Sequence, residues 1–276
     1  MIVQHNMTAL NANRQLGITN TNLARSTEKL SSGYRVNRAA DDAAGLSISE
    51  KMRGQIRGLE QASTNAEDGQ SLIQTAEGAL SEIHSVLQRM RELTVQASND
   101  TNVSADRKAI AKEVRALTSE INRIATQTQF NTMGLLSGGF KNKKLQVGAN
   151  TNQTISITIS SMTASKLGVS ATVIAKVISS STGKDITKLI TTVNTAITKV
   201  STQRSALGAL QNRLDHTIAN ADNMAENLQS SESKIRDVDM ADEMVSYSAS
   251  SILQQAGQSM LAQANQATQG VLSLLQ

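Results

Sequence analysis

The three histidines are the residues of this chain whose chemistry could support catalysis or metal binding. His5, His84 and His216 lie in separate segments, and none has a cysteine or a His–x–x–Glu companion. A metal or catalytic site needs several donors at suitable spacing. The spacing therefore favours ordinary positions on helix surfaces or at the edges of helix contacts for all three.

Two other groups of residues, a pair of aspartates and a set of three glycines, also suit structural roles. Asp41 and Asp42 are adjacent, so they rarely share a face as paired carboxylates must, whereas either one could cap a helix that begins after them. The glycines at 134, 138 and 139 form no phosphate-binding pattern. The sequence thus predicts no catalytic residue, no cofactor site and no metal site, and it does not indicate an enzyme.

The composition favours long, thin helices over a thick globular core. The 276 residues include no Pro, Trp or Cys, and only four aromatic residues. Aromatic side chains dominate the burial of most cores, and Pro is the main breaker of long helices. The lack of Cys excludes disulfides and thiolate metal sites.

The charge distribution argues against two classes of partner. The net charge is +4, but the signs alternate along the chain without a basic stripe, and few aromatics are available to stack on bases. No segment has the roughly 20 mostly apolar residues of a membrane span. We therefore expect neither nucleic-acid binding nor membrane insertion.

Apolar residues spaced alternately three and four apart predict the helices that must organise the fold. The first such row of residues, which we call a seam, ends at Ser31-Ser32-Gly33, where Gly33 can terminate a helix. A second helix is predicted over 43–98, a third up to Gln129, and a fourth from about Lys184 through Ile235. Helices this long and this narrowly apolar indicate coiled-coil packing.

The centre of the chain changes period. Leu145 and Val147, then Ile155, Ile157 and Ile159, alternate with polar residues around a Gly- and Asn-containing turn. Strict alternation of this kind predicts a β-hairpin. Residues 160–183 are ambiguous, and a short strand with a loop is one interpretation of them.

The last 33 residues, 244–276, contain no Asp, Glu, Lys or Arg, yet Gln and Ser interrupt every apolar run. Burying its apolar side chains cannot offset the entropy lost on ordering the segment. This tail therefore needs partners to fold, and its lack of charge suits burial against copies of itself.

The predicted fold class is mainly α: a long antiparallel coiled-coil helical bundle with a small β-hairpin and a terminal two-helix coiled coil. We expect residues 1–42 and 237–276 to form the two halves of the terminal coiled-coil domain. Residues 43–236 would form the bundle domain, with the β segment at about 141–183.

Several stretches resemble bacterial flagellins closely. They are Ser31-Ser-Gly-Tyr-Arg-Val-Asn-Arg-Ala-Ala-Asp-Asp-Ala-Ala-Gly-Leu-Ser-Ile-Ser49, Thr128-Gln-Phe-Asn-Thr-Met-Gly-Leu-Leu-Ser137, Ile252-Leu-Gln-Gln-Ala-Gly-Gln-Ser-Met-Leu-Ala-Gln-Ala-Asn265 and Val271-Leu-Ser-Leu-Leu-Gln276. They occur in the family's order and cover both ends of the chain. The outer variable domains of larger flagellins have no room between residues 141 and 183.

This resemblance implies a structural subunit that self-assembles into the hollow, helical flagellar filament outside the bacterial cell. It implies export by the flagellar type III route, and the first 17 residues lack the features of a cleaved signal peptide. The implied partners are copies of the chain, an export chaperone on the C-terminal helices, and the filament cap and hook-junction proteins.

The resemblance also implies residue roles. The residues expected in the polymer core are Leu16, Leu23, Leu30, Ile252, Leu253, Met260, Leu261, Val271, Leu272, Leu274 and Leu275. The segment bound by Toll-like receptor 5 corresponds to Gln88, Arg89, Glu92, Leu93 and Gln96, with Glu113 on the next helix. In this interpretation Leu93 is an exposed apolar residue beside charge. The cluster of Leu272, Leu274 and Leu275 resembles the flagellin end sensed by intracellular inflammasome receptors, although packing in the polymer core is the primary role we expect of it.

Two alternatives belong to other classes. A hook–filament junction protein shares flagellin-like ends, but the ending LAQANQATQGVLSLLQ favours flagellin itself. A non-polymerising coiled-coil adaptor would keep charged positions flanking its seam, which the charge-free tail lacks.

Overall fold

The computed structural model describes residues 6–171, 174–175, 178 and 183–273. The helices are α1 (Met7–Ser32), α2 (Ala43–Ser98), α3 (Ser104–Gln127), α4 (Ala164–Leu167), α5 (Gly183–Arg236) and α6 (Met240–Ser273). The strands are β1 (Gln129–Phe130), β2 (Met133–Gly134), β3 (Lys143–Gln146) and β4 (Thr154–Ile157). The predicted mainly α fold with a small β component is confirmed.

Contacts divide the chain into two units. One comprises Met1–Ile56 with Glu226–Gln276, and the other comprises Arg57–Ala225. These limits fall inside α2 and α5, whereas the predicted domain limits at 42/43 and 236/237 coincide with helix ends. The predicted limits stay a prediction.

The start of α2 and the end of α1 follow from local chemistry. Gly33 closes α1 with a φ of 75°, and its N–H donates to the carbonyl of Lys29. Glycine adopts this left-handed conformation without the steric cost other residues meet. Asp42 Oδ1 accepts from the N–H of Gly45 at 2.8 Å, which satisfies a donor in the first turn of α2.

The bundle in 57–225 is antiparallel. The residue numbers of partners on α5 decrease as those on α2 increase: Ser63 with Asp222, Gln70 with Asp215, and Glu77 with Arg204. The core between the helices is aliphatic, and its fully buried side chains include Ile73, Leu80, Ile83, Leu87, Met90 and Ile121.

The hairpin β3–β4 is confirmed, and it packs along α2. Lys143 lies opposite Ile157 and Gln146 opposite Thr154 in antiparallel register. Within β4 the two isoleucines are buried while the two hydroxyl residues are exposed, as a period of two requires. A Cβ on Gly58 would lie 2.9 Å from the Cβ of Ala149 in the hairpin turn, so glycine permits this close approach.

The structure resolves part of the segment 160–183, which the sequence left ambiguous. Ala164–Leu167 forms one helical turn, closed by Gly168 at a φ of 87°. The Asn122 side chain accepts from the N–H of Ala164 at 3.0 Å, so a tertiary contact from α3 caps this turn. A four-residue turn fixed from another helix leaves no periodic signal in the sequence.

Candidate assembly and partner surfaces

Helices α1 and α6 form an antiparallel pair. Three side-chain contacts show the direction: Asn6 with Ala264, Asn20 with Gln254, and Lys29 with Glu243. The residues of α1 that recur alternately three and four positions apart are buried or half-buried, and they are Ala9, Ala12, Leu16, Thr19, Leu23, Ser26 and Leu30. A Cβ on Gly257 would lie 3.3 Å from Leu16 Cδ1, so the two helices approach closely at this glycine.

The predicted polymer-core residues fall into two groups within this pair. Leu16, Leu23, Leu30 and Leu261 are half-buried. By contrast, Ile252, Leu253 and Met260 are 66%, 60% and 60% exposed. For Val271 and Leu272 the structure gives the helical backbone alone, and Leu274 and Leu275 lie outside the described residues.

Large apolar side chains are exposed on α6 among neutral polar ones. After Glu243 the helix carries no ionisable side chain other than Tyr247, and Tyr247 is half-buried. A single two-helix contact covers one stripe of each helix, and among the described side chains of α6 it leaves Val245, Ile252 and Leu253 exposed. Several large apolar side chains exposed on one helix are typical of an interaction site.

A backbone bridge ties the segment after α1 to the segment after α5. The N–H of Arg35 donates to the carbonyl of Arg236 at 2.6 Å, and the N–H of Val238 donates to the carbonyl of Gly33 at 3.1 Å. These two bonds pair Tyr34 with Asp237 in antiparallel fashion. The segment that follows α1 and the segment that follows α5 therefore lie side by side, joined by backbone hydrogen bonds.

The side chain of Arg236 reinforces this bridge. Its Nη1 donates to Glu50 Oε1 at 2.9 Å and lies 3.4 Å from Ser49 Oγ. Ser49 is buried and in turn donates to Glu232 Oε1 at 3.1 Å. We call Tyr34, Ser49, Glu50, Glu232 and Arg236 the Arg236 cluster.

The Arg236 cluster is partly shielded from solvent. The Arg236 side chain is 15% exposed, while Glu50 is more than half exposed. The hydrogen bond from Arg236 lowers the pKa of Glu50 below its ordinary value. Sequence analysis missed this cluster, since its members come from three segments that lie far apart in the chain. The sequence offered one indication of where the cluster forms, since Gly33 and Asp237 each directly follow the end of a helix.

The predicted receptor-binding residues surround an ion pair between α2 and α3. Arg89 donates from Nε and Nη2 to Glu113 Oε1 at 3.0 and 2.9 Å, and from Nη1 to Glu92 Oε2 at 3.1 Å. These hydrogen bonds, chiefly the one to Glu113, raise the pKa of Arg89. Gln88 and Gln96 are exposed on the same helix.

The expected exposure of Leu93 is wrong. Leu93 is 2% exposed and belongs to the aliphatic core with Met90 and Ala97. A two-helix seam would use only Met90, Thr94 and Ala97 on this stretch. The stripe of buried side chains on α2 is wider than a two-helix seam because α2 packs within a multi-helix bundle. Leu93 lies within this wider stripe and is therefore buried.

The two histidines within the described residues, His84 and His216, do not come together. His84 Nε2 lies 3.0 Å from Gln88 Nε2, His216 is exposed on α5, and His5 lies outside the described residues. Within the described part of the chain, no group of His, Cys, Asp and Glu side chains is arranged to hold a metal ion. None of the helices described there is long and apolar enough to cross a membrane.

Two protein-family models match the chain. Residues 3–141 match the bacterial flagellin N-terminal helical region, and residues 190–275 match the bacterial flagellin C-terminal helical region. Together these matches cover well over half of the sequence.

Individual relatives match along their whole length. The chain is 53% identical over 275 residues to a flagellin of Halalkalibacterium halodurans and 49% identical over 285 residues to flagellin FlaB2 of Treponema pallidum; each alignment covers 100% of both chains. A putative flagellar hook-associated protein from Vibrio parahaemolyticus is similar in structure, with a TM-score of 0.61. That match covers 71% of this chain and 100% of the other. Its 13% sequence identity shows a shared fold and no more.

Proposed function

The chain belongs to the bacterial flagellin family, and from that premise we propose that α1 and α6 supply the surface through which its subunits pack. Flagellins are structural proteins, and this chain is a subunit that self-assembles into the extracellular, helical flagellar filament used for motility. It is therefore not an enzyme. The hook-junction and adaptor alternatives are weaker because the full-length relatives at about half identity are flagellins.

The observation that carries this proposal is the exposed aliphatic side of α6. Ile252, Leu253 and Met260 are at least 60% exposed in the single chain. Fully burying such a side chain contributes about 1.5–3 kcal/mol. No lysine, arginine or carboxylate of α6 beyond Glu243 would have to be desolvated with them.

Growth of a filament requires contacts that do not close into a ring. The α1–α6 pair meets this need because the half-buried seam lies between the two helices of one chain, while the exposed aliphatic side of α6 is free for a different surface of the next subunit. Half-buried Leu16, Leu23, Leu30 and Leu261 hold the pair together, and Ile252, Leu253 and Met260 face the neighbour. Val271, Leu272, Leu274 and Leu275 would extend the same uncharged surface.

A double variant tests the packing surface. Ile252→Ser with Leu253→Ser removes two exposed aliphatic side chains and should abolish elongation from sheared filament seeds, seen by negative-stain electron microscopy. Gln255→Ser is the matched control, since it changes an exposed polar residue of the same helix and should leave elongation intact. Normal filaments from the double variant would refute the proposal.

A second proposal concerns the host. We infer that Toll-like receptor 5 binds the exposed side of α2 and α3 around Arg89, with Gln88, Glu92, Gln96 and Glu113. What supports this is the resemblance of residues 88–96 to the receptor-binding segment of flagellins, together with the exposed Arg89–Glu113 pair that joins the two helices. Leu93 would act from the core by holding α2 in position, not by touching the receptor.

Further partners follow from the uncharged C-terminal helix. Before assembly the apolar side chains exposed on α6 need protection from solvent, so we propose that an export chaperone binds this helix. We also propose that the chain leaves the cell by the flagellar type III route. Filament cap and hook-junction proteins would contact the ends of the polymer. Inflammasome receptors would recognise Leu272, Leu274 and Leu275. Co-purification of the chaperone with the full chain, and its loss on deletion of residues 244–276, tests the first of these.

A further inference from the structure

Exposed methionines are concentrated on the two helices that we propose for subunit packing. Within the described residues, α1 and α6 expose nine large apolar side chains, and four of these are Met7, Met240, Met244 and Met260. Their exposed fractions range from 49% to 68%. The whole chain has only ten methionines in 276 residues, so thioethers are strongly enriched on this surface.

The location of these four sulfurs leaves them open to solvent in the free subunit. On α6, the residues that face α1, such as Glu243, Tyr247 and Leu261, are half-buried, whereas Met240, Met244 and Met260 are exposed. Two other methionines are shielded: Met90 is 0% and Met162 is 3% exposed in the aliphatic core of the bundle. A dissolved oxidant therefore reaches the first set and not the second.

We propose that oxidation of Met7, Met240, Met244 and Met260 to the sulfoxide blocks subunit addition, so that these thioethers make filament growth sensitive to oxidants. This inference rests on the proposed role of α1 and α6 in packing. The oxidant is a peroxide supplied by the surroundings.

The chemistry is a two-electron transfer of oxygen. The thioether sulfur attacks the terminal oxygen of hydrogen peroxide, the O–O bond breaks and an S–O bond forms. The departing hydroxide takes the remaining proton as water, so that one sulfide and one peroxide give one sulfoxide and one water. Methionine sulfoxide is reducible by methionine sulfoxide reductases, which makes the modification reversible.

The sulfoxide changes what the packing surface can bury. It converts a flexible apolar side chain into a polar group with a strong hydrogen-bond acceptor. Burial of such an acceptor is unfavourable unless a donor replaces its water, and α6 offers neutral Gln, Asn and Ser donors but no lysine or arginine for a stronger, charge-assisted bond. In a completed filament the same sulfurs would be covered, so that the vulnerable species is the unassembled subunit.

Peptide mass spectrometry after peroxide treatment tests the first step. In monomer, Met7, Met240, Met244 and Met260 should oxidise at least about ten-fold faster than Met90 and Met162, since reactivity follows exposure. In filaments grown from untreated protein, their rates should fall towards those of the two buried methionines. Unchanged rates in the filament would count against α1 and α6 as the packing surface itself, and so against the proposed function.

Seeded elongation tests the second step. Peroxide-treated protein should elongate seeds at least about ten-fold more slowly than untreated protein, the effect of roughly 1.4 kcal/mol. A variant with all four methionines replaced by Leu, a volume-conserving change, should elongate equally well before and after treatment. It keeps exposed Met133 and Met224, which still oxidise, so it isolates the effect of the four named sulfurs.

The outcomes separate the two ideas. If treated wild-type protein elongates normally while its four methionines are oxidised, the oxidation proposal is overturned and the packing surface stands. Loss of elongation by the four-Leu variant on treatment overturns the oxidation proposal in the same way. Should the four-Leu variant not fold, or not elongate seeds before treatment, Met244→Gln with Met260→Gln replaces it and is compared with Met244→Leu with Met260→Leu. Slower growth of the Gln pair supports the proposal, and equal growth overturns it.

Discussion

The guanidinium carbon of Arg236 lies 4.7 Å from the ring centroid of Tyr34, within the range of a cation–π contact. The same guanidinium donates to Glu50 at 2.9 Å. One side chain from the end of α5 therefore holds the linker after α1 and the first turns of α2. This contact lies directly beside the backbone bridge between Tyr34 and Asp237.

The first prediction concerns this contact. Arg236→Met keeps the aliphatic stem but removes the contacts with Tyr34, Ser49 and Glu50, so the local opening free energy should fall by about 1–2 kcal/mol. Hydrogen exchange of peptides containing the amides of Arg35 and Val238 should accelerate by roughly ten-fold or more.

Arg53→Met is the matched control. Arg53 contacts the same Glu50 oxygen at 3.1 Å, but both side chains of that pair are exposed. Its loss should change the same amides by less than about two-fold. Equal effects of the two variants would show that Arg236 has no special role in the bridge.

The second prediction is a pH dependence of the Arg236 cluster. Since the pKa of Glu50 is lowered from 4.5 in the folded chain, its contribution to stability is present above pH 4.5 and disappears as the pH falls through the lowered pKa. Exchange of the Arg35 and Val238 amides, corrected for intrinsic rates, should lose protection over that acidic window.

Glu50→Gln provides the comparison. It should remove this part of the acid dependence while leaving other acid effects in place. An identical acid profile in the wild-type chain and the variant would exclude Glu50 as the titrating group.

A third prediction separates contact from packing near Arg89. Leu93→Ala empties a buried site and should lower the free energy of unfolding by about 2–4 kcal/mol, measured by urea denaturation. Arg89→Ala breaks an exposed, solvent-screened ion pair and should lower the free energy of unfolding much less than Leu93→Ala does.

Receptor signalling should respond differently. Arg89→Ala should weaken activation of Toll-like receptor 5 with little loss of stability, whereas Arg213→Ala, an exposed arginine on α5, should leave it unchanged. Signalling by Arg89→Ala at the wild-type level would remove Arg89 from the proposed receptor surface.

The fourth prediction compares two glycines of α2. Gly78 has no atom within 4 Å of an added Cβ, so Gly78→Ala should raise stability by about 0.5–1 kcal/mol through helix propensity. Gly58→Ala gains the same propensity but forces the hairpin turn at Ala149 to move. It should therefore be less stable than Gly78→Ala by about 1–3 kcal/mol. Equal thermal stabilities of the two variants would contradict the close packing of the hairpin on α2.

The fifth prediction concerns the uncharged tail. Deletion of residues 244–276 removes nearly all of α6, yet the aliphatic core of 57–225 keeps all of its own side chains. The truncated chain should stay strongly helical by circular dichroism and fail to elongate seeds. Filaments of normal appearance from this truncation would show that assembly does not need α6.

Local signals accounted for the helices and the hairpin. Helix α2 spans 43–98 as predicted. Its apolar residues recur three and four positions apart over many turns, a spacing that fits a helix and not a strand. Asp42 and Gly33 mark helix ends through their own backbone chemistry, and the alternation around 145–157 produced β3–β4. In each case the residues that determine the element lie within it or next to it.

The sequence by itself determined the family, the long helices, and the uncharged C-terminal tail that needs partners. Only the tertiary structure decided the burial of Leu93, the turn at Ala164–Leu167 and the Arg236 cluster. The reason is the range of the interactions. Helix and strand periods come from neighbouring residues, whereas the width of a buried stripe or the partners of one arginine depend on segments that lie far away along the chain.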